Sequence, residues 1–264
     1  MLVFCSSQIG WRRYQLVSDS LQKFFLVGID QRMSEQRHEV ICHDNDIATL
    51  RNEQATKANM VKAFKQLAAR CKQGDIVYIH YSGHGQLMTD LDGDEAMRWT
   101  GRHSEWDESW IPYDAYMTYC PQDRGERHFS DDEVAVFLQQ IRRRIGSKGQ
   151  LIVAIDACHS GDATCGDNDE CVRGVDIKFN IPRQPGTPSA KPIKEQWLTI
   201  SACKPYQLSS EVKGKRVGKL SYALYSLGKK TMNMSRSTLE KRLADIFRTY
   251  ESRIRQTPMV TGRK

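Results

Sequence analysis

The chain predicts an α/β fold, a mostly parallel six-stranded sheet with helices on both faces. Three observations carry that prediction. Short apolar runs alternate with amphipathic helical stretches. Two of the runs, IVYIHYSGHG at residues 76–85 and LIVAIDACHSG at residues 151–161, open on almost unbroken apolar sequence, as buried strands do. Both then give way to small residues around a reactive side chain, His84 in one and Cys158 in the other. Open α/β sheets present their functional groups in that position, outside the carboxyl ends of the strands.

Each element follows from its local pattern. Residues 2–6 read as a first strand, and residues 17–38 as a helix with Val17, Leu21, Phe24, Phe25 and Ile29 on one face. A second strand is expected at 47–50. Thr56 then caps a helix whose apolar stripe is Met60, Val61, Phe64, Leu67 and Ala68, and Gly74 ends it before the strand at 76–81. Residues 86–130 read as one long, acidic, irregular connection containing Trp99, Trp106, Trp110 and Tyr113. Ser130 caps a helix to about residue 144, with Asp131, Asp132 and Glu133 favourably placed in its first turn. The strand at 151–155 carries Cys158, and a second long loop covers 162–195. A fifth strand is expected at 197–201, helices at 221–227 and 239–250, and a short last strand in the tail QTPMVTG. Loops as long as these two are usually functional or disordered.

The bulk numbers bound the function. A chain of 264 residues, 39% hydrophobic and 27% charged, suits a soluble globular protein with one large α/β domain or two small ones. No apolar run reaches the roughly 18–20 residues of a membrane span, and the N-terminus lacks the basic start of a secretory signal. A cytoplasmic protein without a membrane partner is expected. The net charge of +7 is spread over 142–144, 213–216, 229–230 and the last dozen residues, with no interleaved aromatics. It reads as solvated faces and not as a nucleic-acid platform. The eight cysteines are irregularly spaced, so no disulfide framework is expected. Cys165 and Cys171 are separated by five residues, outside the spacing of paired zinc ligands, and read as a loop disulfide or two free thiols.

The chemistry lies in Cys158 and His84. A thiol at a strand-to-turn junction, with backbone N–H groups aimed at it, is a poised nucleophile. Glycines beside His84 let the backbone approach a substrate closely. A thiol and an imidazole on two such edges are the minimum equipment for nucleophilic acyl transfer. Asp156, two residues before the cysteine, would repel an acidic substrate residue and pair a basic one.

YSGHG followed downstream by DACHSG resembles the caspase-like cysteine peptidases, on their metacaspase and orthocaspase branch. NEQATKANM, ISACKPYQLSSE and GKLSYAL extend the resemblance, which runs from about residue 45 to the end. Caspases proper carry QACxG around the nucleophile, where this chain has DACHSG. The resemblance implies a single three-layer caspase-like domain over 1–264, with a larger part (1–161), a processing loop (162–195) and a smaller part (196–264). It implies Cys158 as nucleophile, His84 as acid/base, and the N–H groups of Gly83 and Cys158 as the oxyanion hole. Asp156, Ser82 and Asp19 would line the pocket for the residue before the cut. That residue would be Arg or Lys, on a peptide or protein substrate. Calcium, as an activator not needed for the chemistry, would be held by Asp107, Asp131, Asp132 and Asp162. Self-processing would fall in the 162–195 loop, first at Arg173, then at Lys178 or Arg183, and the protein would be a monomer. The alternative is a catalytically inactive caspase-fold scaffold that binds or signals.

Overall fold

The computed structural model describes residues 2–5, 47–93, 106–158, 171–182, 196–205, 207–213, 215, 217–228 and 230–263. In chain order its elements are β1 (Leu2–Cys5), β2 (Ala48–Arg51), α1 (Lys57–Arg70), β3 (Ile76–Ser82), β4 (Gly85–Thr89), β5 (Trp106–Trp110), β6 (Phe129–Ser130), α2 (Asp131–Ile145), β7 (Gln150–Asp156), β8 (Leu198–Ser201), α3 (Lys219–Leu227), α4 (Lys230–Asn233), α5 (Arg236–Arg248) and β9 (Met259–Gly262). Six strands form the main sheet in the order β2-β1-β3-β7-β8-β9. All of its pairings are parallel except β8 with β9. The helix expected at 17–38 lies outside the described residues.

The central strands show why both faces are covered. Alternate residues point to opposite faces of a strand. On β3, Val77, Ile79 and Tyr81 enter one core, and Ile76 and Tyr78 enter the other. On β7, Leu151 and Val153 join the first, and Ile152 and Ala154 the second. α1 and α2 close the first core with Met60, Phe64, Leu67, Leu138 and Ile141, while α3 and α5 close the second with Leu220, Leu224, Leu239 and Leu243. The caps are where the sequence puts them. Thr56 Oγ1 accepts from the Asn59 N–H, and Ser130 and Glu133 form a reciprocal capping box.

The 86–130 connection departs from its reading as an irregular loop. β4, β5 and β6 make a second, antiparallel sheet, in which Gly85 opposes Trp110 and Ser109 opposes Ser130. Trp110 stacks on Tyr81, with centroids 4.5 Å apart, and so ties this sheet to β3. Among the described residues no helix is long and apolar enough to cross a membrane.

Candidate active site

β3 and β7 are neighbours, and their last residues, Ser82 and Asp156, are register partners. His84 and Cys158 each follow that pair by two residues, so two parallel strands deliver them to one edge. The His84 turn is pinned, because its carbonyl accepts from Tyr81 Oη at 2.6 Å and from the Ile111 N–H at 3.1 Å. Cys158 is buried, with Sγ directed at the Ser209 carbonyl 3.8 Å away.

The site is filled by the chain itself. Residues 171–173 pair antiparallel with 209–211. The Arg173 N–H donates to the Ser209 carbonyl (2.8 Å), the Glu211 N–H donates to the Cys171 carbonyl (2.9 Å), and Val172 bridges Ser210. Such pairing is the usual way an extended peptide adds to a strand edge. The Arg173 carbonyl accepts from two N–H groups, of Cys158 (3.1 Å) and Gly85 (3.3 Å). Gly174 comes next, so close that a Cβ there would lie 2.6 Å from Cys158 Sγ. Only glycine fits at that approach.

The Arg173 side chain is buried in a pocket of acceptors. Nη2 donates to Ser82 Oγ at 2.6 Å, Nη1 to Glu211 Oε1 at 3.0 Å, and Nε to the Asp156 carbonyl at 3.2 Å. The Asp156 carboxylate stands farther away, 3.9 Å from Nε. It is engaged elsewhere, accepting from the Ser221 N–H (2.7 Å) and Ser209 Oγ (3.3 Å). Gly218 makes room for it, since a Cβ there would fall 2.1 Å from Asp156 Oδ2. Behind the pocket runs a buried chain of hydrogen bonds, from Tyr78 Oη to His80 Nδ1 (2.9 Å), from His80 Nε2 to Ser221 Oγ (2.9 Å), and from Ser221 Oγ to Ser82 Oγ (3.4 Å). Gln256 holds the pairing segment by donating to Ser209 Oγ and accepting from the Ser210 N–H.

This dry, occupied state sets the protonation. Burial pushes the Cys158 thiol up to about 11, with the Arg173 charge among the opposing influences. Burial pulls His84 down to about 4, helped by the Arg173 cation and opposed by the Gly174 backbone. The pair therefore rests as neutral thiol and neutral imidazole.

Several expected roles change. The Gly83 N–H is committed to the Asp156 carbonyl at 3.3 Å, and Gly85 replaces it beside the Arg173 carbonyl, because the chain turns into β4 one residue after His84. Glu211 makes the closest carboxylate contact to the pocket cation, and sequence reasoning missed it. Its only signal was its place at the end of ISACKPYQLSSE. Of the processing candidates, Arg173 alone is brought to Cys158 among the described residues. Lys178 is exposed and lies over the Trp106 ring, 4.3 Å from its centroid. Asp19, Asp162 and Arg183 lie outside the described residues. Asp107 is buried on β5, and Asp131 and Asp132 open α2. Among the described residues no group of three or more His, Cys, Asp or Glu is placed to hold a metal ion, and Asp162, the fourth expected ligand, lies outside them. Cys71, Cys120, Cys158 and Cys203 are free thiols.

The chain is similar to known proteins in sequence and in architecture. A family model described as metacaspase, peptidase C14 domain, matches residues 20–165. Metacaspase-2 of Trypanosoma brucei brucei is 28% identical over 186 residues, which are 66% of this chain and 45% of that protein. Metacaspase-1 of Coccidioides immitis is 36% identical over 111 residues, 42% of this chain and 20% of that protein. The chain thus spans less than half the length of these relatives. In architecture it is similar to the crystal structure of a Geobacter sulfurreducens protein, at a TM-score of 0.53 and 22% identity, covering 81% of this chain and 75% of that one.

Proposed function

The chain belongs to the metacaspase family of C14 peptidases, and from that premise we propose that it is a cysteine endopeptidase cutting after arginine or lysine, with its own Arg173–Gly174 bond as its first substrate. One observation carries the reading. Arg173 sits in an acidic pocket beside Cys158 while its carbonyl faces two backbone N–H groups. A peptide substrate with a basic residue would occupy the same places.

In the proposed reaction Cys158 sulfur, as thiolate, attacks the carbonyl carbon of the basic residue. The oxygen becomes an oxyanion held by the N–H groups of Cys158 and Gly85, each donor contributing roughly 2.7–4 kcal/mol. The C–N bond then breaks, and its electron pair goes to the leaving nitrogen. His84, which took the proton from the thiol, passes it to that nitrogen. Water hydrolyses the thioester, giving the carboxylate and restoring the thiol. With thiol and imidazole both neutral in the filled site, the first cut is slow. Once Arg173 leaves, water enters, and both groups move toward values suited to acid–base work.

The test is intact mass over time. Wild-type protein should yield fragments 1–173 and 174–264, and Cys158→Ala none. Reporter amides with Arg or Lys should then be turned over, and those with Asp should not. Turnover after Asp would overturn the pocket argument. The filled site also favours a second reading, a scaffold permanently closed by its own segment. Folded wild-type protein that never cuts itself and turns over no reporter would establish that reading. Calcium as activator is a separate proposal, and lower turnover with chelator in the same assay would support it.

A further inference from the structure

After Gly174 the chain does not leave the site. It meets β4 at two isolated parallel bridges, Gly174 with Gly85 and Phe179 with Met88, and bends at 176–177 between them. The Val175 N–H donates to the Gly85 carbonyl (3.0 Å), the Phe179 N–H to the Leu87 carbonyl (2.8 Å), and the Thr89 N–H to the Phe179 carbonyl (3.0 Å). Ile181 N–H donates to Thr89 Oγ1 at 2.8 Å, and the buried Gln86 donates Nε2 to the Ile177 carbonyl. Two side chains are taken inward. Val175 is buried with Ile111, Ala115 and Met117. Phe179 is wholly buried, its ring centroid 4.1 Å from that of His128. His128 is itself held between Gln86 Oε1 (3.0 Å) and Asp123 Oδ2 (3.5 Å). Asp176, Ile177 and Lys178 face outward. Gly125, at φ +110°, leaves space for Ile181, since a Cβ there would lie 2.6 Å from Ile181 Cδ1.

We infer that the β4 edge is the peptide-binding edge for the stretch that follows the cut. It takes a chain bent between two points of contact, with glycine immediately after the scissile bond, a small aliphatic residue second and an aromatic residue sixth. Residues 174–181 keep this edge filled after the Arg173–Gly174 bond is broken. The inference rests on the peptidase reading above. None of the β4 contacts made by Val175, Phe179 and Ile181 passes through the broken bond. In this proposal the Arg173 half, now a chain end, is the one that exchanges with substrate, and the other half stays in place. The processed enzyme is open before the scissile position and occluded after it. A short reporter amide needs only the open half. A protein substrate must first displace 174–181.

Processed wild type and Phe179→Ala are compared on two substrates. One is an Arg aminocoumarin reporter, and the other a quenched peptide extending eight residues beyond its Arg. The expected result is a five- to tenfold rise for the long peptide in Phe179→Ala, with reporter turnover within twofold of wild type. Equal effects on both substrates, or none on the long peptide, would overturn the inference. If Phe179→Ala does not fold, hydrogen exchange on cut wild type decides. The Val175 and Phe179 amides should stay protected after cutting, and exchange at the free-chain rate would overturn the inference. A chain that never cuts itself fails the peptidase reading as well. A chain that cuts and then exchanges freely fails only this one.

Discussion

Residues 171–173 and 174–181 are consecutive, yet they are held by different physics. The first stretch is gripped by charge. One buried guanidinium faces Ser82, Glu211 and the Asp156 carbonyl. The second is gripped by shape, with two apolar side chains in fitted pockets and a backbone ladder along β4. A charge grip accepts any arginine that reaches it and fails when either partner is changed. A shape grip depends on the area removed from water and is indifferent to charge. The difference teaches where selectivity and retention reside. In the proposed reaction the acid pocket would choose the residue to be cut, and the apolar edge would decide what stays behind.

Four experiments test that contrast. The largest effect should come from Arg173→Glu, which sets a carboxylate against Glu211 and Asp156. Destroying a buried ion pair costs about 3–5 kcal/mol. Self-cleavage at 173, followed by intact mass, should therefore fall on the order of a thousandfold. Self-cleavage at the native rate would mean that charge does not hold this half. Next, Phe179→Ala should lower stability to denaturant by about 3 kcal/mol, as expected for a buried aromatic truncated to a methyl. Self-cleavage should survive, because the Arg173 half is intact. Glu211→Gln should cost about 1.5–3 kcal/mol in kcat/KM for Arg reporters, mostly through KM. A drop confined to kcat would place Glu211 in the chemistry and not in the pocket.

The smallest effect is a pH dependence. Burial holds His80 down to about 4, against the pull of Asp156. A histidine in the unfolded chain titrates near 6.5, so between those values the unfolded state binds more protons. The stability tied to neutral His80 is complete above about 6.5 and is lost as pH falls toward 4. Between pH 7 and 5 the loss should be roughly 1–2 kcal/mol, read from denaturant curves at the two pH values. In His80→Gln that part of the slope should vanish. If the slope is unchanged, His80 is not the group responsible.

The fold was legible wherever a segment's own pattern decided its structure. β3 and β7 announced themselves as apolar runs, and α1 and α2 by stripe and cap. β5 was not legible, because WDESW reads as an acidic loop. Its Asp107 is buried where β5 pairs with β4, and Ser109 where it pairs with β4 on one side and β6 on the other. β6 is two residues long and has no pattern at all. In the site, the meeting of His84, Cys158, Ser82 and Asp156 at one sheet edge was legible because each sits within two residues of a strand end, while their roles belong to the proposed function. Glu211 was not, since it reaches the pocket from 53 residues beyond Cys158 through the pairing of 171–173 with 209–211. The replacement of Gly83 by Gly85 was hidden for a related reason. Which amide faces a carbonyl depends on where β4 begins, and that is set by β5 across the sheet.

An occupant joined to its own site is never diluted. The stretch around Arg173 faces Cys158 at a local concentration set by its tether, on the order of millimolar for short flexible connections. A free peptide of similar intrinsic affinity, present at micromolar levels, would win the site only about once in a thousand encounters. The uncut chain would thus look inert toward probes and inhibitors that bind the cut one readily. Its conversion would follow first-order kinetics, with a half-time that stays the same however far the protein is diluted.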